Sequence, residues 1–180
     1  MRYETPQPFT VRSATIDDVV DLVELGNRLE GEAEFMLGSA VDPVSGTRLI
    51  KASLEQEIPG QPRSRAFVAE TGGAIVGLCL CRELSHQAQK GIVQLGLGVD
   101  EKLRRQGMGL ALTEFALDWA SRAGVHRVQL TVVKANTPAV ALYERAGFVV
   151  EGSLSRAARI DGRQHDLYVM AWLSPDNAGG

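Results

Sequence analysis

The sequence predicts a mixed α/β fold in one domain, and three features carry that expectation. Strand-like and helix-like runs alternate along most of the chain. Near its end an Asp161–Gly162 pair sits between two strand-like runs, which marks a closing hairpin. No linker rich in Pro, Gly or Ser divides the 180 residues, a length that suits one domain able to bury its own core. The expected domain is 1–180, with an ordered core of about 9–174 and a loose tail at 175–180.

In order, "FTVR" reads as a short strand leading into "SATIDDVVDLVELGNRLE". There Thr15 and Asp18 form a plausible helix start, and Val19, Leu22, Val23 and Leu29 recur at helical spacing. "LIKASLEQEI" reads as a second helix, stopped by Pro59. "RAFVAE", the turn "TGG" and "AIVGLCLCREL" form a β-hairpin, and "GIVQLGLGV" is the next strand. Leu112, Phe115, Ala116, Trp119 and Ala120 fill one face of the following helix, which Gly124 is placed to end. After the strand "RVQLTVV", Thr137 and Pro138 suit the N-cap and first position of a helix, with Gly147 at its C-terminus. "FVVEG" begins another strand, and "AARIDGRQHDLYVMAWL" is the closing hairpin.

Composition narrows the function classes. A formal charge of −3 offers no general attraction for nucleic acid or an anionic membrane, so any anion site must be local. No apolar run approaches the roughly 20 residues that span a bilayer. The start "MRYETPQPFT" lacks the pattern of a secretory signal, which makes the cytoplasm the expected location. Cys79 and Cys81 share one face of a strand at a spacing that is neither a zinc nor a redox motif, so buried, reduced thiols are expected. His86, His126 and His165 form no metal-ligand pair, and no metal is expected.

The chemistry gathers at "RRQGMG", residues 104–109. A strand ending near Val99, a loop, and a helix opening near Met108 would aim unpaired N–H groups and the positive helix end at an anion. Gly107 and Gly109 would let phosphate oxygens approach the backbone, and Arg104 and Arg105 add local charge. "GLGVDE" has Glu101 where a dinucleotide fingerprint needs its third glycine, and no Gly-Lys-Ser/Thr occurs. By itself the pattern is equally a bare loop with a helix start.

Its context is more specific. From "VQLGLGV" through "RRQGMG", Asn136, and "ALYERAGF", the chain resembles the GNAT superfamily of acyl-CoA-dependent N-acetyltransferases, in that family's order and separations. Within it the chain is similar to bacterial enzymes that acetylate amino acids or ribosomal-protein N-termini, a branch suggested by Glu151, Gly152, Asp161, Gly162, Asp166 and Met170. The resemblance implies a mostly antiparallel central sheet, splayed between two strands and flanked by helices on both faces. It implies acetyl-CoA as cofactor and a small-molecule primary amine as acceptor, and a homodimer is common in the family; "LYVMAWL" could contribute to its interface and suits an internal strand equally well.

Roles follow from the same resemblance. Arg104, Arg105, Gln106, Gly107, Met108 and Gly109 would hold the pyrophosphate, and the backbone of Leu97 and Val99 the pantetheine arm. Gly96 and Gly98 are consistent with a bulge or a close approach of another backbone. Asn136 would hydrogen-bond pantetheine, or simply cap its helix. Tyr143 would assist the leaving sulfur as a general acid, although Val140, Tyr143 and Ala146 also have the spacing of a core face. Many relatives carry a glutamate where this chain has Gln94, and an amide cannot take the amine proton. Either the amine needs little base strength, or a carboxylate of "LEGEAEFM" (Glu30, Glu32 or Glu34) serves; a solvated acidic face is the plainer reading of those three. Glu32, Glu34, Phe35 and Gln94 are the acceptor-side candidates.

Overall fold

In the computed structural model, residues 8–32 and 64–175 are described. Seven strands, β1 (Thr10–Ser13), β2 (Ser64–Thr71), β3 (Ala74–Glu83), β4 (Ile92–Val99), β5 (Arg127–Val133), β6 (Val149–Ile160) and β7 (Arg163–Leu173), form one sheet in the order β1-β2-β3-β4-β5-β7-β6. All neighbours are antiparallel except β4 and β5. Helix α1 (Val19–Glu32) lies on one face, and α2 (Met108–Arg122) packs on the other beside α3 (Thr137–Arg145). The mixed α/β sheet with helices on both faces is as the sequence implies. The helix expected at 49–58 lies outside the described residues, as does 176–180 of the expected tail.

Local chemistry sets the turns. Gly72 and Gly73 (φ +57° and +79°) join β2 to β3, and Asp161 and Gly162 (φ +48° and +76°) join β6 to β7. Two successive positive φ values match the twist of the flanking strands. Helices α2 and α3 end alike. Val125 N–H donates to Ala120 O, and Phe148 N–H to Tyr143 O, each at 2.9 Å, around the left-handed Gly124 and Gly147.

At the chain's first helix the Asp18 carboxylate accepts from Thr15 N–H (2.7 Å) and hydroxyl (3.1 Å), closing a 3-10 turn at Ile16–Asp18 before α1. It also accepts two bonds from Arg12, at 2.7 and 2.8 Å, and that guanidinium holds its pKa down at about 2. Leu22, Leu25 and Leu29 are buried against Ala66, Val68 and Ile75, each contributing about 2 kcal/mol. On the opposite face Leu112, Ala116 and Ala120 sink between strands, with Phe67 against Phe115 (5.4 Å) and Trp119 (5.8 Å).

Three open readings resolve. Asn136 takes the capping role open to it, in place of Thr137: its Oδ1 accepts from Ala139 N–H at 3.3 Å, and Pro138 moves to the second helical position. Gly96 and Gly98 form no bulge, since β3 and β4 stay in register from Glu83↔Val93 to Gly77↔Val99. A Cβ on Gly98 would lie 2.5 Å from Leu29 Cδ1, so the close approach is made by a side chain of α1. The third concerns "LYVMAWL", which belongs to internal β7, paired on both edges; exposed Val149, Val150 and Leu154 lie on edge strand β6 instead. Cys79 and Cys81 are buried, free thiols, and the hydrogen bond that the Cys79 S–H gives to Cys81, with burial, pushes the Cys79 pKa well up. Among the described residues no helix is long and apolar enough to cross a membrane.

Candidate active site

The hydrogen-bond phase of β4 creates the site. Leu84 N–H donates to Ile92 O and Asp100 N–H to Val76 O, both at 2.9 Å, so even-numbered residues of β4 face β3. Antiparallel pairing alternates, and Leu95, Leu97 and Val99 therefore turn their N–H and C=O groups toward β5. Yet β5 pairs with β4 only at Ile92–Gln94, opposite Arg127–Gln129. Past that point β4 continues with β3 to Val99, and β5 continues with β7 to Val133. The sheet splits, and Leu97 and Val99 present main-chain groups to the gap. Arg104 Nε donates to Val99 O at 3.0 Å, and among the described residues Val99 N–H and both groups of Leu97 are left for another partner. Thr131 faces the gap from the β5 side by the same alternation, since Lys134 N–H donates to Asp166 O across β7.

The gap leads to the N-terminus of α2. Arg105 (φ +65°) and Gly107 (φ +87°) both adopt left-handed backbone, and the first intrahelical bond runs from Ala111 N–H to Gly107 O at 3.0 Å. Among the described residues no backbone carbonyl takes the N–H groups of Gln106 to Leu110. Gln106 Oε1 is buried there without a partner among those residues, so the turn does not satisfy itself. Unpaired donors and the positive helix end suit a phosphate, and exposed Arg104 and Arg105 add charge. The two glycines differ. Nothing among the described atoms lies within 4 Å of a Cβ on Gly107, whose φ is the constraint. A Cβ on Gly109 would lie 2.8 Å from Leu142 Cδ1 and 3.6 Å from Leu97 Cδ2, so that glycine lets a leucine methyl of α3 approach the start of α2.

The remaining candidates fall around this gap. Asn136 opens α3, with its N–H on Val133 O at 2.9 Å and its Oδ1 on the cap, which leaves its Nδ2 donors for another partner. Tyr143 is 7% exposed, packs on Phe148 at 5.7 Å, and has no hydrogen-bond partner among the described residues. Burial, and then nearby Cys79, push its pKa well above the ordinary value, so the hydroxyl keeps its proton. Gln94 stands at the last β4–β5 pair, on the face opposite buried Val93 and Leu95. Glu34 and Phe35 lie outside the described residues, as do the side chains of Glu30 and Glu32, although Glu32 closes α1. A separate cavity of about 420 Å³ lies on the flank of α3, lined by Lys134, Val140, Glu144, Val150 and Tyr168 among others. It contains none of the converging backbone donors, and the candidate site is therefore the split.

Residues 39–148, more than half of the chain, match the acetyltransferase (GNAT) family. The chain belongs to that family. Relatives of this GNAT chain include L-amino acid N-acetyltransferase AaaT of Escherichia coli, 26% identical over 65% of this chain and 73% of that protein. The mycothiol acetyltransferase of Clavibacter sepedonicus is 30% identical over 81% of the chain, which spans 44% of that longer protein. Among solved structures, a GNAT acetyltransferase of Streptococcus pneumoniae superposes with a TM-score of 0.82 at 27% identity, covering 93% of this chain and 99% of that one. The yncA acetyltransferase of Salmonella typhimurium, solved with its cofactor acetyl-CoA, shares the fold at a TM-score of 0.83 and 20% identity, over 96% and 98% of the two chains.

One polar feature was not expected. Arg127 Nε donates to Gln129 Oε1 at 2.9 Å, and Gln129 Nε2 donates to Gln94 Oε1 at 3.3 Å. Arg127 also grips Glu151 with both terminal nitrogens, at 2.8 and 2.5 Å, which raises the arginine's pKa and lowers the glutamate's. The alternation of "RVQL" puts Arg127 and Gln129 on one face, and that much was legible. Their alignment with Gln94 depends on β4–β5 register.

Proposed function

We propose that this chain transfers the acetyl group of acetyl-CoA to the primary amine of a small molecule, an amino acid or a related compound. The observation that carries the reading is the run of backbone groups, both of Leu97 and the N–H of Val99, without partners among the described residues, opening onto N–H groups at the start of α2 that no backbone carbonyl of those residues takes. An extended, amide-bearing arm ending in a pyrophosphate has the complementary chemistry: strand-like partners for the first, an anion for the second. The similarity to AaaT, named as an amino-acid acetyltransferase, supports the acceptor class.

In this reading Leu97 and Val99 hold the pantetheine amides, Asn136 Nδ2 adds a donor, and residues 104–109 hold the pyrophosphate. When bound, the coenzyme supplies a thioester carbonyl open to attack by an amine. The amine nitrogen bonds to the acetyl carbon, the carbon–sulfur bond breaks, and the nitrogen sheds its proton to water. Tyr143 donates a hydrogen bond to the departing sulfur. Complete transfer of its proton is disfavoured, because a hydroxyl above its usual pKa of about 10 is a weaker acid than a thiol near about 8.5. The general-acid expectation thus narrows to a hydrogen-bond donor.

The test is thiol release from acetyl-CoA across free amino acids, polyamines, aminoglycosides and peptides with free N-termini. Turnover of small amines is expected; turnover of peptides alone moves the reading to protein N-terminal acetylation. A non-catalytic acyl-CoA-binding module is favoured by one feature, the amide at Gln94. Coenzyme binding with no thiol release for any acceptor would support it.

A further inference from the structure

The polar ladder on the α1 face has a direction. A guanidinium only donates, so Arg127 forces Gln129 to offer it Oε1 and to turn Nε2 outward. Gln94 must then offer Oε1 to that Nε2, which leaves Gln94 Nε2 as the free end. Its two N–H groups have no partner among the described residues. Glu151 holds the far end of the ladder, pinning Arg127 through both terminal nitrogens. Next to Gln94 on the same face, Gly96 has no described atom within 4 Å of where a Cβ would stand, whereas Gly98 is closed over by Leu29. The result is a notch above Gly96, at the point where β4 leaves β5, with amide donors on its rim.

Resting on the acetyl-transfer reading, we infer that Gln94 is a specificity-determining residue, and that the acceptor is an α-aminoacyl compound whose carbonyl or carboxylate oxygen takes Gln94 Nε2–H. A donor at this position matches an oxygen on the carbon next to the one that carries the amine. A bare alkylamine or a polyamine offers no such oxygen, and an aminoglycoside offers only hydroxyls, with no carbonyl or carboxylate. Arg127 is the positioning residue, because it fixes which end of the Gln94 amide faces the notch. A glutamate at position 94 would put two acceptors there and repel a carboxylate.

The experiment compares matched acceptors on three side chains: alanine, leucine and phenylalanine, their primary amides, and ethylamine, isoamylamine and phenethylamine. The full chain is assayed for thiol release with acetyl-CoA. A neutral hydrogen bond here corresponds to about a 2- to 10-fold preference in kcat/KM for the amide over the bare amine, and a charge-assisted one to about 10-fold or more for the amino acid, carried mainly in KM. The acid arm outrunning the amide arm identifies a carboxylate as the source of the oxygen, and the reverse identifies a peptide-like carbonyl. Gln94→Glu is expected to erase the preference, most for the free acid. Arg127→Met is expected to weaken it while kcat on the bare amine holds. Equal turnover of bare amines by the unsubstituted protein, or an unchanged preference in Gln94→Glu, overturns the inference. If coenzyme A binds but no acceptor releases thiol, the acetyl-transfer reading fails. Calorimetry of N-acetylleucine against N-isoamylacetamide then judges Gln94 separately. Tighter binding of N-acetylleucine that is lost in Gln94→Glu upholds the donor, and equal binding overturns it.

Discussion

Replacing Tyr143 with Phe separates the two roles its position allows. The hydroxyl has no hydrogen-bond partner among the described residues, and the ring is buried against Phe148. Removing the oxygen leaves that packing intact, so the fold should change by less than about 1 kcal/mol. For a chain of this size that is a Tm shift within about 2–4 °C. The reaction is another matter. A hydrogen bond to a developing thiolate is worth about 1.5–3 kcal/mol, and at about 1.4 kcal/mol per decade its loss lowers kcat roughly 10- to 150-fold. The KM for acetyl-CoA should stay near its original value, because the bond strengthens only as the sulfur leaves. The raised pKa adds a sign: the working form is the protonated one, so no falling limb from this tyrosine is expected below pH 10. Thiol-release kinetics and thermal unfolding check both halves. Unchanged kcat, or a fall in kcat matched by a large loss of Tm, would refute the reasoning and return Tyr143 to the core.

Gly107→Ala tests the anion turn. Holding alanine at φ +87° costs about 1–2 kcal/mol, and with no described atom near the new methyl the loss should be purely conformational. Unfolding with and without coenzyme A should show a lower Tm and a several-fold weaker coenzyme effect; full protection by coenzyme A would put the pyrophosphate elsewhere. Asp18→Asn tests the Arg12 contact. Its folded pKa of about 2 lies below the ordinary carboxylate value, so its stabilisation is present above about pH 4 and is lost as pH falls toward 2. Urea unfolding of the unsubstituted protein should lose about 1–2 kcal/mol across that window, beyond any loss in Asp18→Asn, with half-exposed Arg12 trimming the figure. Identical acid profiles would contradict the contact.

Much of the candidate site's local geometry was legible because it is set by neighbouring residues. The glycine at 107 is demanded by its own φ, and "RRQGMG" ahead of an apolar helical face announces a helix N-terminus. Gly124 and Gly147 end their helices as their positions suggest, since a left-handed residue is cheapest as glycine. Asn136 shows the limit of that reading: Asn and Thr both cap helices, and the sequence leaves the boundary one residue adrift. Gly109 and Gly98 look like backbone devices in the sequence, but each makes room for one leucine, Leu142 or Leu29, supplied from far along the chain.

By itself the sequence determined the alternation of elements, the turns, the buried faces and the glycine turn ahead of α2, all properties of neighbours within a few residues. Tertiary structure alone decided where β4 parts from β5. That depends on strand register and on β7 entering between β5 and β6, which no local pattern encodes. The same register sets Gln129 beside Gln94, and so only the folded sheet gives the amide of Gln94 a direction.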